Sequence, residues 1–269
     1  MTGSAQIAKL FASISLLVGG GSLIVRLGAA GPSSVQLSGF ATSLDGRTDS
    51  QRHNAVLSAR ALNGTVIAPG ATFSFNKVVR AWSSDEGYVK APVSYDGELV
   101  RAYGGGVCQT STTLYDAALL AGLPIVERHS HVFAAHYAAP GRDAAVAQPS
   151  IDLRFKNPYS WPIRITASAE GDKLAVQIMG AEKPKQTVSL SSEMLETSLP
   201  GNLTRTYSGP TRRPGRIFLR SPGYAGCRVI TYRSYFESGK EIRRERLSDD
   251  TYEAMNRVVQ MNRDSEQTK

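Results

Sequence analysis

The chain has 269 residues, of which 41% are hydrophobic and 20% are charged, and its formal net charge is +8. A globular protein of this length holds one large domain, or one domain with a small appendage. Its two cysteines, Cys108 and Cys227, are too few for a disulfide-dense scaffold, so the fold must rest on a hydrophobic core. Their spacing leaves open whether they form one disulfide.

The first thirty residues resemble a targeting segment. A mostly apolar stretch runs from Leu10 to Val25, between Lys9 and Arg26, and small residues follow it. The stretch is short for a membrane-spanning helix, which needs ~20 residues, and Arg26 lies inside the would-be cleavage region. We therefore expect residues 1–30 to be a cleaved signal peptide or a membrane anchor, with a disordered apolar tail as the alternative. On either leading interpretation, the rest of the chain acts outside the cytoplasm.

The first half of the body is predicted to begin with a linker and a helix. Residues 31–50 are polar and turn-rich, which is typical of a linker. A helix is predicted from Asp49 or Ser50 to about Asn63, because apolar residues recur there at helical spacing. The further predictions for this half are strands at residues 65–67 and 72–75 and a long connection over residues 80–104, with a turn at Asp96-Gly97.

A second helix is predicted to begin at Cys108. Gly122 lies where a C-terminal cap belongs, and Pro124 follows at once. Downstream, extended chain or strands are predicted at residues 124–127, 151–155, 162–169 and 174–179, with two more strands within residues 227–248. The predicted fold class is α+β: mainly antiparallel β-sheet packed around the helix that starts at Cys108, with a small C-terminal β-hairpin.

Most of the net charge lies in the C-terminal third of the chain. Residues 211–246 contain ten basic side chains and three acidic ones, an excess of seven. Such a segment favours anionic partners, here wall polymers or membrane headgroups. No nucleic-acid-binding motif is present, and we expect no nucleic-acid partner. A solvated basic face with no specific partner is the alternative.

Three glycines stand directly before the cysteine that opens the second helix, in the stretch Gly104-Gly105-Gly106-Val107-Cys108. Glycine permits positive φ and close approach of backbone. A helix N-terminus offers unpaired N–H groups and a partial positive charge to an anion. A thiol there ionises more readily, and the thiolate is the nucleophilic form. Cys108 is therefore a candidate nucleophile, with a small buried structural cysteine as the alternative.

A cysteine nucleophile needs a base, a group that orients the base, and donors for an oxyanion. His131 is the first candidate for the base, because it follows the extended segment that leaves the Cys108 helix. Asp143, in the tight turn Gly141-Arg142-Asp143-Ala144, and Asp152 are candidate orienting groups. Backbone N–H groups around residues 106–109 and the side-chain amide of Gln109 are candidate oxyanion donors.

Two other interpretations of these residues stay open. Cys108, His129 and His131 could supply three zinc ligands, although no familiar zinc spacing is present. Ser111 could be the nucleophile, although no Gly-x-Ser-x-Gly elbow surrounds it. Cys227 is predicted to be structural. We expect neither a metal ion nor a cofactor.

The central motif, from Gly104 to Tyr115, resembles the VanW domain. Further matching stretches are Leu62 to Gly64, Pro69 to Asn76, Ala121 to Leu123, Arg128, His131, Gly141 to Ala144 and Asp152 to Asn157. The resemblance covers roughly Phe40 to Ile165. A weaker one likens residues 232–252 to the G5-like hairpin that often follows this domain. The N-terminal sequence and the two resemblances together predict three parts: a signal peptide or membrane anchor over residues 1–30, a VanW-like domain over 31–180, and a basic, β-rich, G5-like extension over 181–262.

The resemblance implies an exported or membrane-anchored bacterial protein, and some members of the family are proposed to be cysteine L,D-transpeptidases that make 3-3 cross-links in peptidoglycan. Cys108 would then attack a stem tetrapeptide between its third and fourth residues, D-Ala would leave, and an amine of a second stem would resolve the thioester. His131 would act as base and then as acid. The residues so implied are Cys108, His131 and Asp143 for catalysis and Gly105, Gly106, Gln109, Thr110, Tyr115 and Arg128 for substrate binding or the oxyanion.

The expected partners are therefore peptidoglycan stem peptides, together with anionic wall polymers or headgroups at the basic C-terminal region. Two competing hypotheses stay open. One is a non-catalytic peptidoglycan-binding protein linked to glycopeptide resistance. The other is a stem-peptide hydrolase, in which water takes the place of the acceptor amine.

Overall fold

The computed structural model describes residues 24–25, 35–95, 98–208 and 217–263. The predicted signal or anchor segment lies outside these residues, apart from Ile24 and Val25, and so does the predicted turn at residues 96–97. Strands account for 46% of the structure and helices for 18%, which confirms a mainly antiparallel α+β fold. Within the described residues, no helix is both long and apolar enough to cross a membrane.

The helices and strands are numbered here in chain order. The α-helices of the described residues are α1 (Asp49–Leu62), α2 (Phe75–Val79) and α3 (Val107–Leu120). The strands up to α3 are β1 (Ile24–Val25), β2 (Val35–Ser43), β3 (Val66–Ile67), β4 (Thr72–Ser74), β5 (Lys90–Tyr95) and β6 (Glu98–Tyr103). The strands after α3 are β7 (Ile125–Glu127), β8 (Arg154–Lys156), β9 (Ile163–Glu170), β10 (Lys173–Gly180), β11 (Thr187–Ser198), β12 (Asn202–Ser208), β13 (Ile217–Ser221), β14 (Gly226–Glu237), β15 (Lys240–Tyr252) and β16 (Arg257–Arg263).

The core forms where α3 packs against a five-stranded sheet of order β1-β3-β9-β10-β2. The helix contacts β2 and β10 of this sheet, α1 at one side and β11 at another. It is buried on nearly every face, as expected for a helix enclosed by several elements. Leu114 and Leu119 of α3 share one apolar cluster with Ile165, Val176 and Ile178 of the sheet.

The predicted linker at residues 31–50 is wrong over its middle, where β2 forms and pairs with β10 along its whole length. Its inward positions include Ser38 and Thr42, which are small polar residues rather than apolar ones. Ser38 Oγ donates to the carbonyl oxygen of Ala117 at 2.6 Å, and Thr42 Oγ1 lies 2.9 Å from Thr113 Oγ1. Hydrogen bonds from these hydroxyls therefore join β2 to α3 where apolar side chains would usually pack. A search for alternating hydrophobic residues does not detect such a strand.

The predicted long connection at residues 80–104 contains a hairpin of β5 and β6. Pro92 lies inside β5, and proline argues against a strand because it has no N–H for the ladder. Here its carbonyl oxygen accepts a hydrogen bond from Gln51 Nε2 of α1 at 3.0 Å. The hairpin is thereby fixed to α1 immediately before the chain enters the glycine run.

The predicted C-terminal hairpin forms from β14 and β15, but it is not small. These strands have 12 and 13 residues, and β11 joins them in a three-stranded antiparallel sheet of order β11-β14-β15. We call this the C-terminal sheet. A second sheet of order β12-β16-β13 includes one parallel pair, β12 with β16. The hairpin is therefore the centre of a larger β-structure.

A buried arginine joins the C-terminal sheet to the end of α3. Arg233 of β14 donates from Nη1 to the carbonyl oxygens of Leu119 at 3.4 Å and Leu123 at 2.8 Å. Its Nε donates to Glu245 of β15 at 2.6 Å, and its side chain is only 5% exposed. The last carbonyl groups of a helix lack partners within the helix and attract cations. This side chain is therefore a structural contact and is not part of a free basic surface.

Replacing Arg233 by methionine should destabilise the protein. The carbonyl oxygen of Leu123 and the carboxylate of Glu245 lose this donor, while Leu119 keeps the N–H of Gly122. We expect the free energy of unfolding to fall by about 2–4 kcal/mol, measured by urea denaturation. The matched control is Arg244→Met, since Arg244 is exposed and only stacks 4.1 Å from the centre of the Tyr232 ring. That control should cost less than about 1 kcal/mol. Equal losses in the two variants would contradict the anchoring role of Arg233.

Candidate active site

The glycine run before α3 fits only because it lacks side chains. Gly106 has φ of 104°, and a Cβ built on it would lie 2.3 Å from the backbone oxygen of Gln51. A Cβ on Gly105 would lie 2.6 Å from the oxygen of Pro92. The backbone oxygen of Gly105 accepts a hydrogen bond from Asn54 Nδ2 at 2.8 Å. The run is thus packed directly against α1 and β5.

This packing leaves the N-terminus of α3 without a side-chain cap. Its N-cap residue is Gly106, and no side chain bonds the first-turn N–H groups. By contrast, α1 has a full capping box between Thr48 and Gln51. Cys108 is the second residue of α3, where backbone N–H groups have no partner within the helix. The N–H groups of Val107 and Gln109 donate to the carbonyl oxygens of Gly104 at 3.0 Å and Gly106 at 3.3 Å. An anion formed beside Cys108 would therefore meet the N–H of Cys108 itself and the positive end of the helix dipole.

Cys108, His131 and Asp143 are brought together although they come from separate segments. The half-buried Cys108 has its Sγ 3.4 Å from the carbonyl oxygen of Val146 and beside the imidazole of His131. Nδ1 of His131 lies 2.5 Å from Asp143 Oδ2, and the same oxygen accepts the backbone N–H of His131 at 2.8 Å. Since Nδ1 is engaged by the carboxylate, Nε2 is the nitrogen left for the thiol.

Hydrogen bonds tie the segment that carries Asp143 to α3 beside the thiol. Ser111 Oγ donates to the carbonyl oxygen of Ala144 at 2.6 Å, and the N–H of Ala144 donates to Thr112 Oγ1 at 3.0 Å. Arg142 forms an ion pair with Asp116, which is fully buried in α3. Contacts with α3 between Ser111 and Asp116 therefore set the position of the Asp143 carboxylate relative to the Cys108 thiol.

The charges of this group favour an ionised thiol. Burial favours the neutral thiol, but the hydrogen bond and positive charge of His131 outweigh it and lower the pKa of Cys108 from the ordinary 9.0. Burial alone would lower the pKa of His131, whereas hydrogen bonds to Asp143 and Cys108 raise it to about 10. For Asp143, burial is outweighed by His131 and Arg128, and its pKa falls to about 2. The lowered pKa of Cys108 and the raised pKa of His131 both shift this pair towards a thiolate and an imidazolium.

Asp143 is a buried charge, and its second oxygen has partners of its own. Arg128 Nη2 donates to Asp143 Oδ1 at 3.0 Å, and Tyr252 Oη donates to the same oxygen. Arg128 is held in turn by Asp250 Oδ1 at 2.6 Å. Asp250 and Tyr252 lie on β15, more than a hundred residues along the chain from Asp143, and sequence reasoning missed both.

Four side chains predicted to bind substrate or the oxyanion are used elsewhere, which corrects that prediction. The amide of Gln109 donates to Thr42 Oγ1 at 3.0 Å and to the carbonyl oxygen of Ser43 at 2.7 Å. Thr110 Oγ1 bonds Ser58 Oγ at 2.7 Å. Tyr115 is 2% exposed, and Arg128 spans Asp143 and Asp250. All four side chains are held in the interior around the site. Gly105 is also buried, and the carbonyl oxygens of Gly105 and Gly106 accept hydrogen bonds from Asn54 and Gln109. The half-buried Cys108 is the predicted residue of this stretch that remains for contact with a substrate.

The alternative candidates also lie in other arrangements. Asp152 accepts hydrogen bonds from Ser74 Oγ at 2.5 Å and from the N–H of Asn76, so it supports the start of α2 rather than a histidine. His129 is exposed and bonds Glu127 at 3.2 Å, away from His131's partners. Ser111 is fully buried. No group of three His, Cys, Asp or Glu side chains could hold a metal ion in the part of the chain that the structure describes.

The two cysteines are not joined, and Cys227 lies in the interior of the C-terminal sheet. Both thiols are free. Cys227 packs with Val229 and Tyr252, and burial raises the pKa of its thiol, opposite to the direction for Cys108. The two thiols therefore differ in how readily they form the thiolate, which is the reactive form.

Tyr137 is a further residue at the site that no sequence pattern indicated. Its ring lies edge-on to the His131 imidazole, with 6.4 Å between ring centres, and the Arg47 guanidinium lies 4.8 Å from its centre. Burial, followed by the charges of Cys108 and Asp143, raises the pKa of Tyr137 well above 10.0. Its hydroxyl thus stays protonated beside the thiol. It belongs to an irregular segment without periodicity, so only its place in the fold reveals it.

Comparison with known proteins gives one family match and two curated relatives. Residues 50–179 match the family model described as "VanW like protein". "Uncharacterized protein YoaR" of Bacillus subtilis (strain 168) is 41% identical over 150 residues, covering 56% of this chain and 50% of that protein. "Vancomycin B-type resistance protein VanW" of Enterococcus faecalis (strain ATCC 700802 / V583) is 30% identical over 149 residues, covering 53% and 54%. The chain spans about half the length of these two relatives.

Among solved structures, the "IgA1 Protease G5 domain structure" is similar over 32% of this chain and all of that chain, with 17% identity and a TM-score of 0.19. "Crystal structure of HP0197-G5" covers 28% of this chain and 93% of that chain, with 21% identity and a TM-score of 0.15. Scores this low support no conclusion, so the G5-like interpretation of residues 181–262 stays a prediction. The predicted resemblance to the VanW family is confirmed over residues 50–179, which match the family model and include Cys108, His131 and Asp143.

Proposed function

We propose that this protein is a cysteine acyltransferase of the bacterial cell envelope that acts on peptidoglycan stem peptides, as an L,D-transpeptidase does. The observation that carries the proposal is the group Cys108, His131 and Asp143, in which a lowered thiol pKa accompanies a raised imidazole pKa. An activated thiol beside a histidine that a carboxylate orients is the arrangement that acyl transfer requires.

In the first half of the reaction, the Cys108 thiolate attacks the carbonyl carbon of the third residue of a stem tetrapeptide. The oxyanion that forms is stabilised by the backbone N–H of Cys108 and by the positive end of the α3 dipole. The bond to the fourth residue then breaks, and the departing amine nitrogen of D-Ala takes the proton from His131 Nε2. The products are a thioester on Cys108, a neutral imidazole and free D-Ala.

In the second half, an amine of another stem peptide attacks the thioester. The neutral imidazole of His131 accepts the proton that this amine loses, the carbon–sulfur bond breaks, and the thiolate and imidazolium are restored. In this scheme the resting pair holds its proton on the imidazole, so His131 acts first as acid and then as base. This order is the reverse of the one expected from the sequence.

The cell-envelope location of the proposal rests on the N-terminal sequence and on the family. One relative is named for vancomycin resistance, which supports a role at the cell wall. Arg243 and Arg244 on β15 are exposed, although their guanidinium groups stack on Tyr235 and Tyr232. Such side chains suit contact with an anionic wall polymer or with headgroups.

The reactivity of the Cys108 thiol directly tests whether His131 lowers its pKa. In a Cys227→Ala background, we expect Cys108 to react with iodoacetamide well below the ordinary thiol pKa, because the imidazolium stabilises its thiolate. His131→Ala should move the pH midpoint of alkylation up by about 2 units, since only the hydrogen bond to Val146 then opposes burial. His129→Ala is the matched control and should leave the midpoint unchanged. A midpoint that does not move in His131→Ala would refute the ion pair, and intact-protein mass spectrometry gives the rates.

The reaction itself is tested by incubating the protein with purified disaccharide-tetrapeptides and separating the muropeptide products. We expect 3-3 cross-linked dimers and released D-Ala with the wild type and with Cys227→Ala, and neither product with Cys108→Ala. Shortened stems without dimers would replace the transferase by a hydrolase. Binding to sacculi that is equal in wild type and Cys108→Ala, without any product, would instead identify a non-catalytic wall-binding protein.

A further inference from the structure

The carboxylate of Asp143 is held from two sides, and one side belongs to the C-terminal sheet. His131 occupies Oδ2 through both its Nδ1 and its backbone N–H. Oδ1 accepts hydrogen bonds from Arg128 Nη2 and from Tyr252 Oη. Because both oxygens are hydrogen-bonded, the carboxylate cannot rotate. The orientation of the His131 imidazole, and with it the direction of Nε2, is therefore fixed.

The hydroxyl of Tyr252 has a fixed direction. Its oxygen accepts the backbone N–H of Gly141 at 2.8 Å, so its single proton is free to point at Asp143. Tyr252 is 1% exposed, and its ring is packed with Cys227 and Val229. Gly141 begins the tight turn that carries Asp143, so one phenol holds both the turn's backbone and its carboxylate.

Asp250 acts one step further away, through Arg128. Its Oδ1 lies 2.6 Å from Arg128 Nη1, and the two side chains are 9% and 7% exposed. Arg128 then bonds Asp143 twice, from Nε to the backbone oxygen at 2.7 Å and from Nη2 to the carboxylate. A buried guanidinium between two carboxylates is fully paired, which fixes its planar fork.

The loop from His131 to Asp143 is also joined to the C-terminal sheet by backbone contacts. The N–H of Glu253 donates to the carbonyl oxygen of Val132 at 2.8 Å. Thr231 Oγ1 donates to the carbonyl oxygen of Gly141 at 3.2 Å, and a Cβ on Gly141 would lie 2.1 Å from that hydroxyl. These contacts make β14 and β15 the surface on which the loop is shaped.

We propose that Tyr252 and Asp250, which lie outside the family-matched residues 50–179, are positioning residues of the Cys108, His131 and Asp143 group. The C-terminal sheet is then part of the active site and not only an attachment to it. This inference rests on the proposed function, because positioning has meaning only if His131 activates Cys108. Tyr252 and Asp250 touch neither the thiol nor a substrate; they act through Asp143.

The test compares charge-neutral and charge-changing variants with matched controls in the Cys227→Ala background. Tyr252→Phe removes only the hydroxyl, and its control is Tyr235→Phe, a buried tyrosine of β14 whose hydroxyl bonds Glu245. Asp250→Asn is controlled by Asp249→Asn, whose carboxylate pairs with Arg228 and Arg246. Thermal unfolding of each variant shows whether it is folded, and iodoacetamide alkylation of Cys108 across pH gives the midpoint and rate.

We expect Tyr252→Phe to slow alkylation about tenfold below the ordinary thiol pKa, as the loss of one hydrogen bond to a charged group predicts. Asp250→Asn should also slow it, although removing a negative charge would by itself favour the thiolate. Slower reaction in that variant therefore opposes the direct effect of the removed charge on the thiol and supports lost positioning. The Tyr235 and Asp249 controls should match the Cys227→Ala protein.

A double-mutant cycle separates positioning from general structural support. If Tyr252 acts through His131, Tyr252→Phe has no further effect on alkylation in a His131→Ala background. An equal slowing in both backgrounds, or no slowing beyond the Tyr235→Phe control, would overturn the inference while leaving the proposed function intact. If His131→Ala alone has no effect, the proposed function fails and the inference with it. Asp250→Asn provides the same cycle independently, should Tyr252→Phe not fold.

Discussion

The buried carboxylate of Asp143 is the constraint on which the site depends. A buried charge is very costly unless its oxygens are hydrogen-bonded and its charge is compensated. Asp143 meets this requirement with donors from Arg128 and His131, which lie three residues apart, and from Tyr252 on the distant strand β15. The donors that compensate the buried charge of Asp143 are therefore also the ones that fix the orientation of the His131 imidazole.

The same balance extends to the thiol. Acidic and basic side chains alternate from the thiol of Cys108 through His131 and Asp143 to Arg128, and Asp250 closes the series. Alternation lowers the cost of placing each charge in the interior, because every ion has an opposite neighbour. The open N-terminus of α3 adds a fixed positive end beside the thiolate. Activation of the thiol is thus a property of the whole series of charges.

The sequence predicted the features that depend on local patterns. The helices α1 and α3 have clear periodicity and punctuation, and the hairpins β9–β10 and β14–β15 were placed within a few residues. Cys108, His131 and Asp143 were singled out, and the structure brings them together. The strand β2 was missed because its inward residues are hydroxyls, and β5 because it contains Pro92. The partners Asp250 and Tyr252 leave no local signal, since their meaning comes only from contacts with distant segments.

The strand register of the C-terminal sheet has a consequence for how this protein can vary. In β15, Asp250 and Tyr252 are two residues apart and pair with Val229 and Cys227, so their side chains share the face that meets the loop. A slip of one residue between β14 and β15 would turn that face outward and expose the opposite one. If the C-terminal sheet were exchanged for that of a relative, the thiol would stay activated only if the new hairpin had the same β14–β15 register. Similarity of the rest of the sheet would not be enough.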